Sequence, residues 1–453
     1  MEHWIYNASF YHIYPLGFCD APEKNNLVSQ PVNRLEKIYD WIDHIIHIGS
    51  NALYLGPLFE STSHGYDTVD YYNVDRRLGD NDTLKNLVQY LHNKNIKIVL
   101  DGVFNHVGRD FWAFKDVQKL GMTSNYCNWF YNLDFNKQSQ FGDSFYYEGW
   151  NGYYDLVKLN LNNPNVIDHI FQAVRIWIKE FGIDGLRLDA ADFIQLDFLK
   201  KLSKFTKEIK PDFWLMGEVV HGDYRNWANH ETLDSTTNYE CYKGLYSSHN
   251  DKNYFEIAYS LNRLFGKEGI YKNLLLYNFV DNHDVTRVAS ILKNSSHIYP
   301  LHILLFTMPG IPSIYYGSEF FIKGEKTNSS DKYLRPSLQL TWLENNKALY
   351  CTIKNLSAIR KQVRTLQYGN YKQLFISHEQ FAFSRQYESE IVVVVVNSSS
   401  EKKSLEFNVP LANGTKLRDV LNNNEYFTIK ENKLQIEDLW QSWGRVLIYN
   451  KND

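Results

Sequence analysis

Short apolar runs alternate with one-sided helical stretches along most of the chain. FYHIYPLGF, NALYLGPLF, IKIVLDGVF, IDGLRLDA, FWLMGEV, TTNYECY, LLLYNFVDN and IPSIYYG are apolar segments of strand length bounded by Gly, Asn or charge. Runs of this kind read as strands buried on both faces. Residues 35–48, 83–93, 164–181 and 197–209 read as intervening helices. Leu84, Leu87, Val88 and Leu91 fall on one face at helical spacing, and Pro164 after Asn163 suits a first helical turn. Eight strands alternating with helices predict a (β/α)8 TIM barrel, whose active site lies at the carboxyl ends of the strands. We expect the barrel over 1–106 and 161–364. Residues 107–160, irregular and rich in Gly, Asn, Tyr and Trp, form an inserted subdomain after the third strand. After residue 365, EIVVVVVNSSS and shorter alternating pieces predict an antiparallel C-terminal β-sandwich domain over 365–453.

Composition narrows the functional classes. The 453 residues carry 48 basic and 52 acidic side chains with no long run of one sign, so no nucleic-acid partner is expected. No apolar run reaches the length of a membrane span, and the start shows no secretory leader. The four cysteines, Cys19, Cys127, Cys241 and Cys351, are far apart and form no CxxC pair; they fit a reduced, cytoplasmic setting. His44 and His47, close together on a predicted helix, read as surface or interface histidines. Trp129, Phe130 and Trp150, in the inserted segment, are divided between packing and sugar contact.

Three acids sit just after apolar runs: Asp189 in GIDGLRLDAAD, Glu218 in FWLMGEVV and Asp284 in LLLYNFVDNHD. An ionisable group is expensive at the end of a buried strand unless chemistry needs it there. Carboxylates ending separate parallel strands converge on one pocket. Such a cluster suits glycosidic cleavage, with one carboxylate attacking, one acid protonating and a third group holding the sugar.

DGVFNHVG, GLRLDAAD, GEVV and FVDNHD, in that order, resemble the four signature regions of the α-amylase family of glycoside hydrolases. HGYDTVDYY and GIPSIYYGSE add two further family-like segments, and the likeness runs from Tyr11 into the terminal β-domain. The resemblance implies Asp189 as nucleophile, Glu218 as general acid/base and Asp284 as the carboxylate gripping two hydroxyls of the −1 sugar. It implies that Arg187, facing the same side as Asp189, holds it ionised, and that Glu218 begins protonated. His64, Tyr66, Asp67, Asp101, His106, His283, Asp331 and Arg335 match further substrate-binding positions. Retaining chemistry then requires Asp189 and Glu218 carboxyls about 5–5.5 Å apart.

Two positions depart from the family pattern. The family's calcium site pairs an Asn like Asn105 with an Asp at the place of Lys158, and an ammonium cannot ligate calcium. No metal or other cofactor is therefore expected. The Lys-His pair ending the second region in many starch-cutting relatives is Asp192-Phe193 here. YEGWNGYYDLVKLN and GEVVH are similar to the neopullulanase and cyclomaltodextrinase branch. The expected substrates are maltooligosaccharides, maltodextrins or cyclodextrins, cut at α-1,4 bonds, with α-1,6 bonds left open. A glucanotransferase, a sucrose- or trehalose-active member, and a non-catalytic carbohydrate-binding partner remain open readings, as does the oligomeric state.

Overall fold

A computed structural model describes residues 3–328, 330–341 and 347–450. Eight parallel strands form the barrel: β1 (Phe10–Ile13), β2 (Ala52–Leu55), β3 (Lys97–Gly102), β4 (Gly185–Leu188), β5 (Trp214–Gly217), β6 (Ser235–Thr236), β7 (Tyr277–Asn278) and β8 (Ile311–Tyr315). Neighbours pair in sequence order, with β8 beside β1. Between β6 and β7 a single parallel bridge, Thr237 to Tyr277, closes the ring, supported by Asn238 Nδ2 donating to Asn278 Oδ1 at 2.8 Å.

Two of the predicted strands are much shorter than their apolar runs. In TTNYECY the strand stops at Thr236, and Asn238 accepts from Cys241 N at 3.1 Å to cap the helix Tyr239–Asn250. An Asn cap satisfies an orphan helical amide and so outbids the aromatic β preference of the run. In LLLYNFVDN only Tyr277–Asn278 pairs. Elsewhere the helices fall close to expectation: Lys37–His47, Asn81–Asn93, Leu196–Ile209, and Pro164–Ile176 followed by a π-helical turn, Trp177–Phe181, that ends on left-handed Gly182.

The two-residue period of the strands sorts the interior into layers. Phe10, Ala52, Val99, Trp214, Met216 and Ile311 form the apolar filling of the barrel, with Ile5 and Ala8 of the amino-terminal turn packed against it. Two residues further along four strands lie His12, Tyr54, Asp101 and Arg187, all buried. Side chains that alternate to the outside, such as Leu53, Leu55, Ile98, Leu100, Leu186 and Leu188, pack with the helices. The apolar floor thus supports a polar layer at the catalytic end.

The segment between β3 and β4 contains its own three-stranded antiparallel sheet, His106–Gly108, Tyr153–Lys158 and Gly149–Trp150. Trp129 and Phe130 are buried in its core. The C-terminal region forms a six-stranded and a two-stranded antiparallel sheet. In its strand Glu390–Asn397, Val393 and Val395 pack between these sheets, whereas Val392, Val394 and Val396 join the barrel-side core. Burial on both faces accounts for the unbroken valine run. No helix among the described residues is long and apolar enough to cross a membrane.

Candidate active site

Arg187 organises the centre of the polar layer. It lies in register with Asp101 on β3, and its Nη1 donates to Asp101 Oδ1 at 2.9 Å and to Asp189 Oδ1 at 3.0 Å. Its Nη2 lies 2.8 Å from Glu218 Oε2. Asp189 follows β4 and Glu218 follows β5, so adjacent strand ends deliver the two acids to one guanidinium. Arg187 thus meets Glu218 as well as Asp189, because one planar fork reaches both neighbouring strand ends. Burial pushes Asp189 well above the usual carboxylate range; Arg187 opposes this, while Glu218, Asp101 and Asp284 add to it. Burial thus outweighs Arg187 at Asp189 in the free site, so the guanidinium by itself does not keep this acid ionised as the family resemblance implies.

The backbone is strained just past Asp189. Ala190 has φ +45° and ψ +46°, left-handed for a residue with a Cβ, at a cost of about 1 kcal/mol. That turn points Ala190 N at Glu218 Oε2, 3.3 Å away.

Asp284 lies on the loop after β7. Arg335 Nη2 donates to its Oδ1 at 3.0 Å, and His283 Nε2 lies 2.9 Å from its Oδ2. Burial alone would raise Asp284, but His283, Arg335 and Arg187 together hold it below the usual carboxylate range. Arg335 also donates to Asp331 Oδ2 at 3.2 Å, His283 O at 3.0 Å and Tyr14 Oη at 3.3 Å. The Asp331–Arg335 pair read from DKYLRP therefore reaches the third carboxylate through Arg335.

The remaining candidates line the same end of the barrel. Tyr66 donates to Asp101 Oδ2 at 3.0 Å, its hydroxyl meets His283 Nε2, and its ring stacks on that of His283 with centroids 5.6 Å apart. In the free site His283 Nε2 thus serves Asp284 and Tyr66. His106 Nε2 is buried without a hydrogen-bond partner, 3.8 Å from Asp189 Oδ2. Burial, then His64, push His106 down to about 3, so the ring is neutral at ordinary pH. Asn105 Nδ2 faces its Nδ1 at 3.2 Å, which leaves the ring proton on Nε2 as a ready donor. His64 and Asp67 occupy the loop after β2. The carbonyl of His64 accepts from Tyr14 Oη at 2.6 Å, and Asp67 accepts from Ser63 Oγ at 2.6 Å, leaving Asp67 Oδ1 buried without a hydrogen bond, 3.8 Å from His64 Nδ1.

Several residues escaped the sequence reading. Tyr239 donates to Glu218 Oε1 at 3.1 Å and accepts from Asn282 Nδ2 at 3.3 Å; Asn282 Oδ1 in turn accepts from Asp284 N at 2.8 Å. This relay links the second and third acids. Tyr54 donates to Asp101 Oδ2 at 2.9 Å. The signal for Tyr239 was the Asn-Tyr pair opening a helix, hidden because TTNYECY reads as a strand. Trp150 lies 5.5 Å from the His106 ring, with its Nε1 buried and unpartnered. His44, by contrast, is a buried structural residue, 2.8 Å from Glu319 Oε1, because the barrel helix turns that face inward; His47 is exposed.

A closed parallel barrel with converging carboxylates at its strand ends defines the molecule as a glycoside hydrolase. Residues 12–342 match the family described as Alpha amylase, catalytic domain, and residues 371–437 match Maltogenic Amylase, C-terminal domain. The chain belongs to the α-amylase family. It is 31% identical over 425 residues to a cyclomaltodextrinase of Thermoanaerobacter pseudethanolicus, covering 89% of this chain and 72% of that protein. It is 29% identical over 417 residues to the intracellular maltogenic amylase of Bacillus subtilis, covering 88% and 69%. Among solved structures, the cyclic α-maltosyl-(1→6)-maltose hydrolase of Arthrobacter globiformis superposes with a TM-score of 0.82 at 26% identity, covering 98% of this chain and 99% of that one.

Proposed function

We propose that the protein is a retaining hydrolase of maltooligosaccharides, maltodextrins or cyclodextrins, cutting α-1,4 and also α-1,6 glucosidic bonds. The observation that carries this reading is the single guanidinium of Arg187, hydrogen-bonded to Asp189 and ion-paired with Glu218. One guanidinium keeps both carboxyls at the same end of the barrel, an arrangement compatible with double displacement, in which one acid attacks while the other protonates the leaving oxygen. The names of the relatives support the substrate class.

The steps follow from the geometry. Asp189, in its carboxylate form, which the cationic Arg187 favours against burial, attacks C1 from one face of the sugar while Glu218 gives its proton to the glycosidic oxygen. The C1–O bond breaks and a covalent glucosyl-enzyme forms. Glu218, now a carboxylate beside Arg187 and Tyr239, takes a proton from water; the water oxygen attacks C1 and frees Asp189, with net retention. Asp284, fixed by His283 and Arg335, accepts hydrogen bonds from sugar hydroxyls, and His106 Nε2–H donates one.

Calcium does not fit the position that the family resemblance implies. Lys158 lies there, its Nζ 2.6 Å from Glu148 Oε1 and 5.1 Å from the Tyr131 ring centre, and the amide of Asn105 faces His106. An ammonium repels a cation and offers it no lone pair. A cytoplasmic setting is supported by the four cysteines, all unpaired.

Product analysis tests the reading. Maltoheptaose, β-cyclodextrin and maltotriose are incubated with the protein and the anomer first released is followed by NMR. The α-anomer of short maltooligosaccharides is expected. Initial release of the β-anomer, or products longer than the substrate in place of hydrolysis, overturns it.

A further inference from the structure

A second cleft, away from the carboxylates, lies where the C-terminal sheet meets the barrel. It is an open surface groove of about 550 Å³ lined by Ser296, Tyr299, Trp440, Gln441, Ser442 and Trp443. This volume falls within the range of small-ligand sites. All six lining residues are uncharged, which disfavours an ionic occupant. Two indoles and a phenol offer flat apolar faces, and two hydroxyls with one amide offer neutral hydrogen bonds. That combination matches a pyranose, whose ring has an apolar C–H face rimmed by hydroxyls.

The aromatic groups are displayed by a strained turn. Trp440 is 47% exposed, with the buried guanidinium of Arg445 5.9 Å from its ring centre. Ser442, two residues on, sits at φ +45°, and its N–H is anchored on Ser399 O at 3.1 Å. Asn397 Nδ2 holds Trp440 O at 3.0 Å, and Trp443 Nε1 donates to Asn422 Oδ1 at 2.8 Å. Trp443 meets Tyr299 with ring centroids 5.5 Å apart. Tyr299 and Ser296 lie at the start of the helix Ile298–Thr307, which leads into β8. That end of the helix is nearer the carboxyl ends of the strands, where the acids are. His297 Nε2, 2.8 Å from Ser398 O, fixes the helix start to the C-terminal sheet.

We propose that this cleft is a non-catalytic binding site for a linear α-linked glucan chain, with Trp440 as its exposed stacking platform. The site keeps polymeric substrate on the enzyme while another part of the chain reaches the carboxylates. This inference rests on the maltodextrin reading given above.

The test is native electrophoresis through gels containing amylopectin. It compares an Asp189→Asn background, which cannot turn substrate over, with the same background carrying Trp440→Ala or Trp440→Phe. Trp440→Ala is expected to weaken retardation at least about five-fold, with Phe restoring much of it. In the otherwise native enzyme, Trp440→Ala is expected to leave kcat/KM on maltotriose unchanged while lowering activity on amylopectin. Undiminished retardation of the Trp440→Ala protein overturns the proposal, as does a parallel fall in maltotriose cleavage, which marks Trp440 as merely structural. A Trp440-dependent dimer in sedimentation with unaltered glucan binding overturns it in favour of a second copy of the chain. Trp440-dependent retardation in a protein that cleaves no maltooligosaccharide supports the site while refuting the catalytic reading.

Discussion

Arg187 Nη2 lies 2.8 Å from Glu218 Oε2, on the same guanidinium that meets Asp189 at 3.0 Å. One cation thus touches both carboxyls needed for double displacement. The two acids nevertheless differ in what removal should do. Asp189→Asn is expected to lower kcat on every substrate by about 10⁴-fold or more, since no glucosyl-enzyme can form. Glu218→Gln is expected to lose about 10²–10⁴-fold on maltooligosaccharides but far less on α-maltosyl fluoride, whose leaving group needs no proton in the first step. Steady-state kinetics on both substrates checks the pair, and equal losses on the fluoride refute the assignment.

Tyr239 donates to Glu218 Oε1 at 3.1 Å and so fixes the direction in which that carboxyl points. Tyr239→Phe removes the donor without changing the ring. kcat on maltotriose is expected to fall by about tenfold or less, and the loss on α-maltosyl fluoride to be smaller, because its leaving group needs no proton from Glu218. Equal losses on the two substrates would argue against this role.

Asp184, at the opposite end of β4, is a carboxylate of a different kind. It is fully buried, and against the cost of that burial His92, Lys210 and Lys97 hold it below the usual carboxylate range. Ile98 N also donates to it at 3.0 Å. A lowered folded-state value means that the stabilisation is present above the unfolded value of about 3.9 and is lost as pH falls towards the folded value. Asp184→Asn is expected to cost about 2–3 kcal/mol in urea unfolding at pH 7, with the gap from the parent narrowing below about pH 4. A cost that is the same at pH 7 and pH 3 contradicts the argument.

Lys158 and Glu148 form a 2.6 Å ion pair where the family resemblance places a calcium ligand. EDTA is therefore expected to leave Tm within about 1 °C, since no binding energy is coupled to folding there. Thermal denaturation with and without added calcium measures it. A drop in Tm that calcium reverses would show a site elsewhere or a different role for Lys158.

The sequence by itself determined the strand order, the alternation and the acids. Apolar runs bounded by Gly and charge located most barrel strands, since burial on both faces leaves a local trace. Spacing by two on β4 placed Arg187 and Asp189 on one side, and motif order gave each acid its expected role. The tertiary structure decided what each of these groups touches. Tyr239 reaches Glu218 from a helix that reads as a strand, and Asn282 continues the contact to Asp284. Arg187 is shared across β3, β4 and β5, and His44 is turned inward onto Glu319. Thr237 and Tyr277 close the barrel through a single bridge that neither run announces. Such contacts join residues far apart along the chain and depend on strand register and helix rotation, so no local pattern of side chains encodes them.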